Sequence, residues 1–274
     1  MGKFDGILLV TDLDGTLLRD DKSISQENLQ AIQYFESEGG YFTFATGRPP
    51  IAMGPVLEQL CPKIPYGCMN GAGVYDPKTD AYVRHTLISR DVFALVEYAQ
   101  KLFPGAGFEL VTYETSYLYR SNAIIEELRR FERLPDNYVD SFDIPGRLCK
   151  ILIGIESEKM DELIVAMEAH PDYDRYTMLR TTKEYYEIMP KGCHKGKSVL
   201  ALAEILGLDP AKTVAVGDNS NDAPMLRTAG VGIAVANATE DAKEAADVVL
   251  AVNNEEHAIA NIVRRLEDGT ISFG

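Results

Sequence analysis

Cysteines, cations and long apolar runs are all scarce in this chain, and each scarcity excludes a class of protein. The four cysteines are widely spread and form no C-x-x-C pair, which argues against a disulfide framework or a zinc site and fits a reducing compartment. They are Cys61, Cys68, Cys149 and Cys193. No apolar run approaches the roughly 20 residues of a membrane span. The apolar run near the N-terminus is too short for a signal peptide, so we expect a cytoplasmic protein.

Cationic residues are outnumbered by carboxylates. Lys and Arg together number 27 against 42 Asp and Glu, which gives 274 residues a formal net charge of −15. Such a surface repels polyanions, so we expect neither nucleic acid nor an anionic membrane as a partner. A small anion can still be held by a local group of cations and backbone N–H groups. The length fits one large domain or two ordinary ones, as a monomer or a small homo-oligomer.

The two ends of the chain alternate strand-like apolar runs with segments of helical spacing. The predicted strands lie at 7–11, 41–46, 66–70, 213–218, 231–235 and 247–250. This alternation predicts an α/β fold with a Rossmann-like, doubly wound parallel sheet covered by helices on both faces. We therefore assign residues 1–85 and 190–274 to one α/β core domain, with a hairpin at 73–85.

The middle of the chain, residues 86–189, follows another pattern. Two helix–strand–strand groups flank a helix and a strand, which predicts an inserted α+β domain with a mixed sheet and helices on one side. Its strands are rich in tyrosine, and such side chains can stack on a sugar or a base. Sheet packing is the simpler explanation for them. The tyrosines are Tyr113, Tyr117, Tyr119, Tyr185 and Tyr186.

The first predicted strand ends in the sequence Asp12-Leu13-Asp14-Gly15-Thr16. Ligands of open parallel sheets bind beyond the carboxyl ends of the strands, where both aspartates fall. Gly15 can relax the turn, and Thr16 can tie it through its hydroxyl. Taken alone, an Asx-type turn with two solvated carboxylates explains this stretch as well as a catalytic site does.

Three further segments place polar groups at the same predicted edge of the sheet. Each has an ordinary explanation as a turn, a helix cap or a solvated lysine. Together they supply a hydroxyl, a lysine, carboxylates and free amides suited to phosphate, and carboxylates beside such groups imply a hard divalent cation, Mg²⁺ above all. The segments are Thr46-Gly47-Arg48, Lys195-Gly196-Lys197 and Gly217-Asp218-Asn219-Ser220-Asn221-Asp222.

These four segments resemble the four motifs of the haloacid dehalogenase superfamily, and the insert between the second and third resembles that of the Cof-type phosphatases. The resemblance covers essentially the whole chain. It implies a phosphomonoesterase in which Asp12 attacks phosphorus to form an aspartyl-phosphate and Asp14 is the general acid and base. It also implies Mg²⁺ held by the carboxylates of Asp12 and Asp218 and by the backbone carbonyl of Asp14.

The resemblance assigns roles to the remaining polar residues as well. Phosphate or substrate contacts fall to Thr46, Gly47, Arg48, Asn70, Gly71, Lys195 and Asn221. Thr16 and Asp222 have supporting roles, the latter steadying the metal loop or the lysine. The pair Asn70-Gly71 matches an Asn-Gly that lies near the site in Cof-like proteins, although a hairpin-entry turn explains it equally. His194 is either a substrate contact or, more simply, a surface histidine.

The insert is expected to act as a cap that excludes water and selects the leaving group, which implies a small soluble substrate such as a sugar phosphate. Two alternatives stay open. A phosphotransferase of the phosphomannomutase kind shares the first motif and the cap placement. A non-catalytic phosphometabolite sensor usually lacks Asp12 or Asp14, and both are present. A dehalogenase is disfavoured because its chemistry lacks the second aspartate and the metal.

Overall fold

A computed structural model of the protein describes residues 2–273, so the outermost residues of the predicted core domain, 1 and 274, lie outside the described residues. The chain divides into two compact units by its internal contacts. The first comprises the described parts of Met1–Arg48, Gly54–His85 and His194–Gly274, and the second comprises Pro49–Met53 and Thr86–Cys193. Between residues 2 and 273, no helix has the length and apolar character needed to cross a membrane.

The N-terminal part contains strands and helices in the expected order. They are β1 (Leu8–Thr11), α1 (Gln26–Ser37), β2 (Tyr41–Phe44), α2 (Gly54–Leu60), β3 (Tyr66–Cys68), β4 (Gly73–Asp76) and β5 (Ala81–His85). Helix α1 begins at Ser25, whose hydroxyl accepts a hydrogen bond from the Asn28 N–H at 3.2 Å. A serine at this position is a common helix start because it satisfies an otherwise unpaired N–H.

The middle and C-terminal parts continue the chain order. The middle elements are α3 (Phe93–Leu102), β6 (Gly107–Thr112), β7 (Ser116–Arg120), α4 (Ala123–Phe131), β8 (Leu148–Gly154), α5 (Met160–Glu168), β9 (Tyr176–Arg180) and β10 (Tyr185–Pro190). The C-terminal elements are α6 (Lys195–Leu206), β11 (Thr213–Gly217), α7 (Ala223–Thr228), β12 (Val231–Ala234), α8 (Glu240–Ala245), β13 (Val248–Val249) and α9 (Ala258–Glu267). Helix α6 ends at Gly207 in the left-handed conformation, as its glycine predicts.

The first unit is built on a parallel sheet in the order β13-β12-β11-β1-β2. Strand β1 has a partner on each side, with Leu9 opposite Val214 of β11 and opposite Phe42 of β2. All four residues of β1 are buried. Because the strands are parallel, the carboxyl ends of β1, β2 and β11 meet at one edge. The predicted parallel core of an α/β fold is confirmed.

Strand β3 does not belong to this parallel sheet. It pairs antiparallel with β4, which pairs antiparallel with β5, in a separate sheet of the first unit. An isolated bridge between Ala45 and Gly67 joins it to the chain just after β2. This bridge is parallel, so β3 meets the parallel sheet at a single position, whereas its full ladder is antiparallel with β4. The apolar pattern identifies a strand but not its partner, so the sequence did not predict the antiparallel ladder.

The second unit has a sheet in the order β7-β6-β8-β10-β9, and every pair is antiparallel rather than mixed. One face, with Leu110 and Ile151, packs in the same apolar core as α3 and α5. On the other face, Leu118 and Leu152 pack with Ile125 of α4. Since neighbouring residues of a strand face opposite sides, helices cover both faces, and the prediction of helices on one side is wrong.

The α4 side of this sheet also buries charge. Lys150 donates to Glu187 at 2.9 Å, and Arg129 lies 3.5 Å from Glu109. The Ser116 hydroxyl connects the second pair, because it donates to Glu109 and accepts from Arg129. We call Glu109, Arg129, Lys150 and Glu187 the sheet cluster. It is balanced, with two carboxylates and two cations, and each is at most 5% exposed.

The second unit extends past residue 189, the end expected from the sequence. Pro190 still pairs with Tyr176 of β9, and the Gly192 N–H donates to the Thr177 hydroxyl at 2.7 Å. These contacts keep the chain with the second unit as far as Cys193.

Candidate active site

Three carboxylates meet at the carboxyl edge of the parallel sheet. Asp12 directly follows β1, and Asp218 and Asp222 follow β11; one oxygen from each lies within 4.8 Å of the others. Lys195, the first residue of α6, donates to Asp12 and to Asp222, both at 2.6 Å. We call Asp12, Asp218, Asp222 and Lys195 the aspartate cluster. Parallel pairing brings these residues together although they are far apart in sequence.

The electrostatics of the aspartate cluster reflect crowding of like charge. Burial, followed by Asp222, raises the pKa of Asp12 well above its usual range, although Lys195 opposes this. Burial and Asp222 likewise raise the pKa of Asp218 to about 6. Burial alone would lower the pKa of Lys195, but Asp12 and Asp222 outweigh it and raise that pKa. One lysine therefore faces three carboxylates, an imbalance that a divalent cation would relieve.

Asp222 is held by contacts on both of its oxygens. Oδ1 accepts from Lys195, and Oδ2 accepts the N–H groups of Asp218 and Asn219 at 3.1 and 3.0 Å. It is completely buried. Asp222 thus orients both the lysine and the loop that carries Asp218.

Thr16 contacts the same loop from the other side. Its hydroxyl donates to Asp218 Oδ1 at 2.7 Å, whereas the sequence suggested a bond within its own turn. Gly15 beside it has φ +80°, and a Cβ there would lie 2.5 Å from Asp218 Oδ2. A side chain at position 15 would therefore collide with a carboxylate of the cluster.

Asn237 also contacts this turn, donating to the Gly15 carbonyl at 2.8 Å. Sequence reasoning missed Asn237, because an asparagine in a polar loop carries no distinguishing signal.

Asp14 is paired with two cations. Arg48 donates to both oxygens, at 2.9 and 2.6 Å, and Lys22 donates to Oδ1 at 2.9 Å. Burial would raise the pKa of Asp14, but Arg48 and Lys22 outweigh it and lower that pKa. Arg48, expected on the phosphoryl group, binds a catalytic candidate in this structure. Lys22 was missed, because it follows two aspartates in what looks like a solvated turn.

The remaining candidates surround the end of β2. The Thr46 hydroxyl accepts from the Arg48 N–H at 3.2 Å, and the Thr46 carbonyl accepts from the Asn70 N–H at 3.0 Å. The Asn221 amide donates to the Asn70 side chain at 3.2 Å. All site residues assigned from the sequence, Gly47 and Gly71 included, lie in the first unit.

His194 precedes the lysine of the cluster. Its Nδ1 is buried with no hydrogen-bond partner among the described residues. Burial, followed by the nearby Lys197, lowers the pKa of this imidazole. A neutral histidine beside Lys195 adds no charge to the site.

Comparison with known proteins identifies relatives over nearly the whole chain. Residues 9–263 match the family of haloacid dehalogenase-like hydrolases. Phosphatase YwpJ of Bacillus subtilis is 28% identical, with 94% of this chain and 99% of that protein covered. The 5-amino-6-(5-phospho-D-ribitylamino)uracil phosphatase YitU of the same organism is 26% identical, with 91% and 93% covered. The structure of the subclass IIB sugar phosphatase BT4131 aligns with a TM-score of 0.83 at 23% identity, covering 97% of this chain and 100% of that one.

Proposed function

This chain belongs to the haloacid dehalogenase-like hydrolases as a Cof-type phosphomonoesterase, and on that premise we propose that it hydrolyses a small phosphorylated metabolite, preferably a sugar phosphate, through an aspartyl-phosphate. The observation that carries the proposal is the aspartate cluster, in which three carboxylates lie together and one buried lysine donates to two of them, Asp12 and Asp222. A cytoplasmic location is part of the proposal and rests on the sequence.

Asp12 is the proposed nucleophile. An oxygen of its carboxylate forms a bond to phosphorus while the bond to the leaving alcohol breaks. Water then attacks the same phosphorus, the bond to Asp12 breaks, and inorganic phosphate leaves. The 2.6 Å contact with Lys195 supports this role, because a neighbouring ammonium opposes the rise in the pKa of Asp12 that burial and Asp222 cause and so favours the ionised carboxylate that attack requires.

Asp14 is the proposed acid and base. It gives a proton to the leaving oxygen in the first half of the reaction and takes one from water in the second. Arg48 and Lys22 lower its pKa and so favour the ionised form that the second half needs. Its side chain is 39% exposed and can exchange a proton with solvent between the two halves.

Mg²⁺ is the proposed cofactor, and the donor set suits it because hard divalent cations prefer carboxylate and carbonyl oxygens. We assign it to the carboxylates of Asp12 and Asp218 and the backbone carbonyl of Asp14. Asp222 also lies in the carboxylate group, but it already accepts three hydrogen bonds and is better suited to support. The bound cation would supply charge neutralisation for the dianionic phosphoryl group.

The phosphoryl oxygens are assigned to donors around the cluster: the Thr46 hydroxyl, the Lys195 ammonium, the Asn221 amide and the backbone of Gly47. The Arg48 guanidinium already engages both oxygens of Asp14. We therefore give Arg48 its first role on Asp14.

The second unit is proposed to select the leaving group. Every site residue described here lies in the first unit, which supports a division between a chemical unit and a specificity unit. The relative YitU, named for a phosphorylated ribityl compound, supports a polyol or sugar phosphate as the substrate class.

The test is release of inorganic phosphate from a panel of phosphorylated metabolites, ranked by kcat/KM, with Mg²⁺ and after dialysis against EDTA. We expect release of inorganic phosphate that depends on Mg²⁺. We also expect a phosphoryl group bound covalently to the protein that is stable in acid and removed by hydroxylamine. Isomerised sugar bisphosphate in place of free phosphate would indicate a phosphotransferase. Tight binding with no turnover on any ester would indicate a sensor.

A further inference from the structure

The turn Met69-Asn70-Gly71 has an unusual backbone. Its three residues have φ values of 50°, 48° and 87° in succession, and two of them are not glycine. Residues with side chains rarely adopt this left-handed region, and they persist there only when surrounding contacts hold them. Two such contacts reach the end of β2: the Met69 N–H donates to the Arg48 carbonyl and the Asn70 N–H to the Thr46 carbonyl, at 3.2 and 3.0 Å.

The same turn packs against the start of α6. A Cβ on Gly71 would lie 2.1 Å from the carbonyl oxygen of His194, the residue directly before Lys195. Only glycine therefore fits at position 71, both for its φ and for this approach. The turn thus connects the segment of Thr46 with the segment of Lys195.

The Asn70 side chain reaches a third segment. It is 0% exposed, and its Oδ1 accepts the Asn221 amide at 3.2 Å. On the other side, a Cβ on Gly47 would lie 3.0 Å from Asn70 Nδ2. Since Asn70 is enclosed between Gly47 and Asn221, it has no surface to offer a phosphoryl group.

We propose that Asn70 is a positioning residue that orients the Asn221 amide toward the phosphoryl group. Its left-handed backbone is held by the end of β2 and the start of α6. This proposal rests on the proposed function, which assigns the Asn221 amide to a phosphoryl oxygen. An oriented amide loses less freedom when it binds, so its hydrogen bond contributes more to affinity.

The test is a double-mutant cycle between Asn70→Gly and Asn221→Ala. Glycine keeps the left-handed backbone without strain and removes only the side chain. The readouts are kcat, KM and the inhibition constant of inorganic phosphate. We expect Asn70→Gly to weaken phosphate binding by about tenfold, the scale of one hydrogen bond, and to have little further effect in an Asn221→Ala background.

Two variants keep the result interpretable. Asp80→Gly is the matched control, because Asp80 has a similar φ of 53° in the turn between β4 and β5, and it should leave phosphate inhibition unchanged. Asn70→Ala removes the same Oδ1 acceptor while keeping a Cβ, so it provides a second cycle if Asn70→Gly fails to fold. Its effect should also vanish in the Asn221→Ala background.

Additive losses in both cycles, or unchanged phosphate inhibition in Asn70→Gly, would overturn the positioning role. Those outcomes leave wild-type hydrolysis intact and so are distinct from failure of the proposed function. That failure would show as a wild-type protein that releases no phosphate from any ester.

Discussion

The sheet cluster and the aspartate cluster lie in different units of the described chain, residues 2–273, and they differ in charge balance. The sheet cluster opposes Glu109 and Glu187 with Arg129 and Lys150, and its members form ion pairs or hydrogen bonds with one another. The aspartate cluster opposes three carboxylates with Lys195 alone. Burying charge costs free energy unless it is paired, so the balanced cluster needs no further charge.

The unbalanced cluster is different because its carboxylates retain a need for positive charge. Burial and Asp222 raise the pKa of both Asp12 and Asp218. In the sheet cluster, burial also raises the pKa of Glu109, although Arg129 and Lys150 oppose it. Burial would lower the pKa of Lys150, but Glu187 outweighs it and raises that pKa. Comparing the two clusters teaches that charge balance separates a cluster that supports the fold from one built to bind.

The largest expected effect is at the nucleophile. Asp12→Asn should lower kcat by roughly 10⁴-fold or more, because an amide cannot form the aspartyl-phosphate. Phosphate release in rapid-quench assays measures this, and the melting temperature checks that the variant is folded. Retention of a tenth of the wild-type kcat would contradict the covalent mechanism.

Breaking the sheet cluster should affect stability instead of chemistry. Lys150→Met removes the cation that donates to the buried Glu187 carboxylate, so the free energy of unfolding should fall by about 3–5 kcal/mol. The double variant Lys150→Met/Glu187→Leu should recover most of this, because no lone charge remains. Urea unfolding measures both, and kcat for p-nitrophenyl phosphate serves as the activity control. If the double variant is no more stable than the single one, the paired-charge account fails.

The affinity of the aspartate cluster for Mg²⁺ should depend on pH. The pKa of Asp218 is raised to about 6 from 3.8. Between these two pH values, Asp218 therefore keeps its proton in the folded protein and loses it in the unfolded one. In metal-free protein, the stabilisation that protonated Asp218 contributes is fully present below pH 3.8 and is lost as pH rises through about 6. Since Mg²⁺ needs the ionised carboxylate, its affinity should be about tenfold weaker at pH 5 than at pH 7.

Calorimetric titration at the two pH values measures this difference. Asp218→Asn should remove most of the Mg²⁺ affinity and reduce this difference, the remainder belonging to Asp12, whose pKa is also raised. The same pH-dependent affinity in Asp218→Asn would show that Asp218 does not titrate with the metal.

The smallest expected effect is at the exposed rim of the site. The Lys22 and Asp14 side chains are 40% and 39% exposed, so their ion pair is screened by solvent and weak. Lys22→Ala should raise kcat/KM about two- to fivefold for an alkyl phosphate, the scale of an exposed ion pair, because loss of Lys22 favours the protonated Asp14 that the leaving oxygen needs. It should have less effect on p-nitrophenyl phosphate, whose leaving group needs little protonation.

The matched control is Lys63→Ala, which removes a comparable exposed pair with Glu36 at a position outside the site. A loss of kcat/KM, or an equal change on both substrates, would show that Lys22 does not act through the pKa of Asp14.

Residues next to strand ends were predictable from sequence, and their distant contacts were not. Asp12, Thr46 and Asp218 each follow a strand whose apolar pattern is clear, so their common edge follows from parallel pairing. Lys22 and Asn237 lie in polar loops without any pattern, although both contact the first motif. Their roles depend on loop conformation, which local sequence specifies weakly.

By itself, the amino-acid sequence determined the order of strands and helices in the first unit and the identity of the groups at the strand ends. Hydrophobic periodicity and helix-capping residues are properties of short stretches of sequence, so they are independent of any long-range contact. Only the tertiary structure decided that β3 joins a separate antiparallel sheet and that α4 covers the second face of the other sheet. It also decided that Thr16 bonds Asp218 across 202 positions and Asn221 bonds Asn70 across 151. Such pairings depend on which distant surfaces become buried together, and no local pattern encodes that choice.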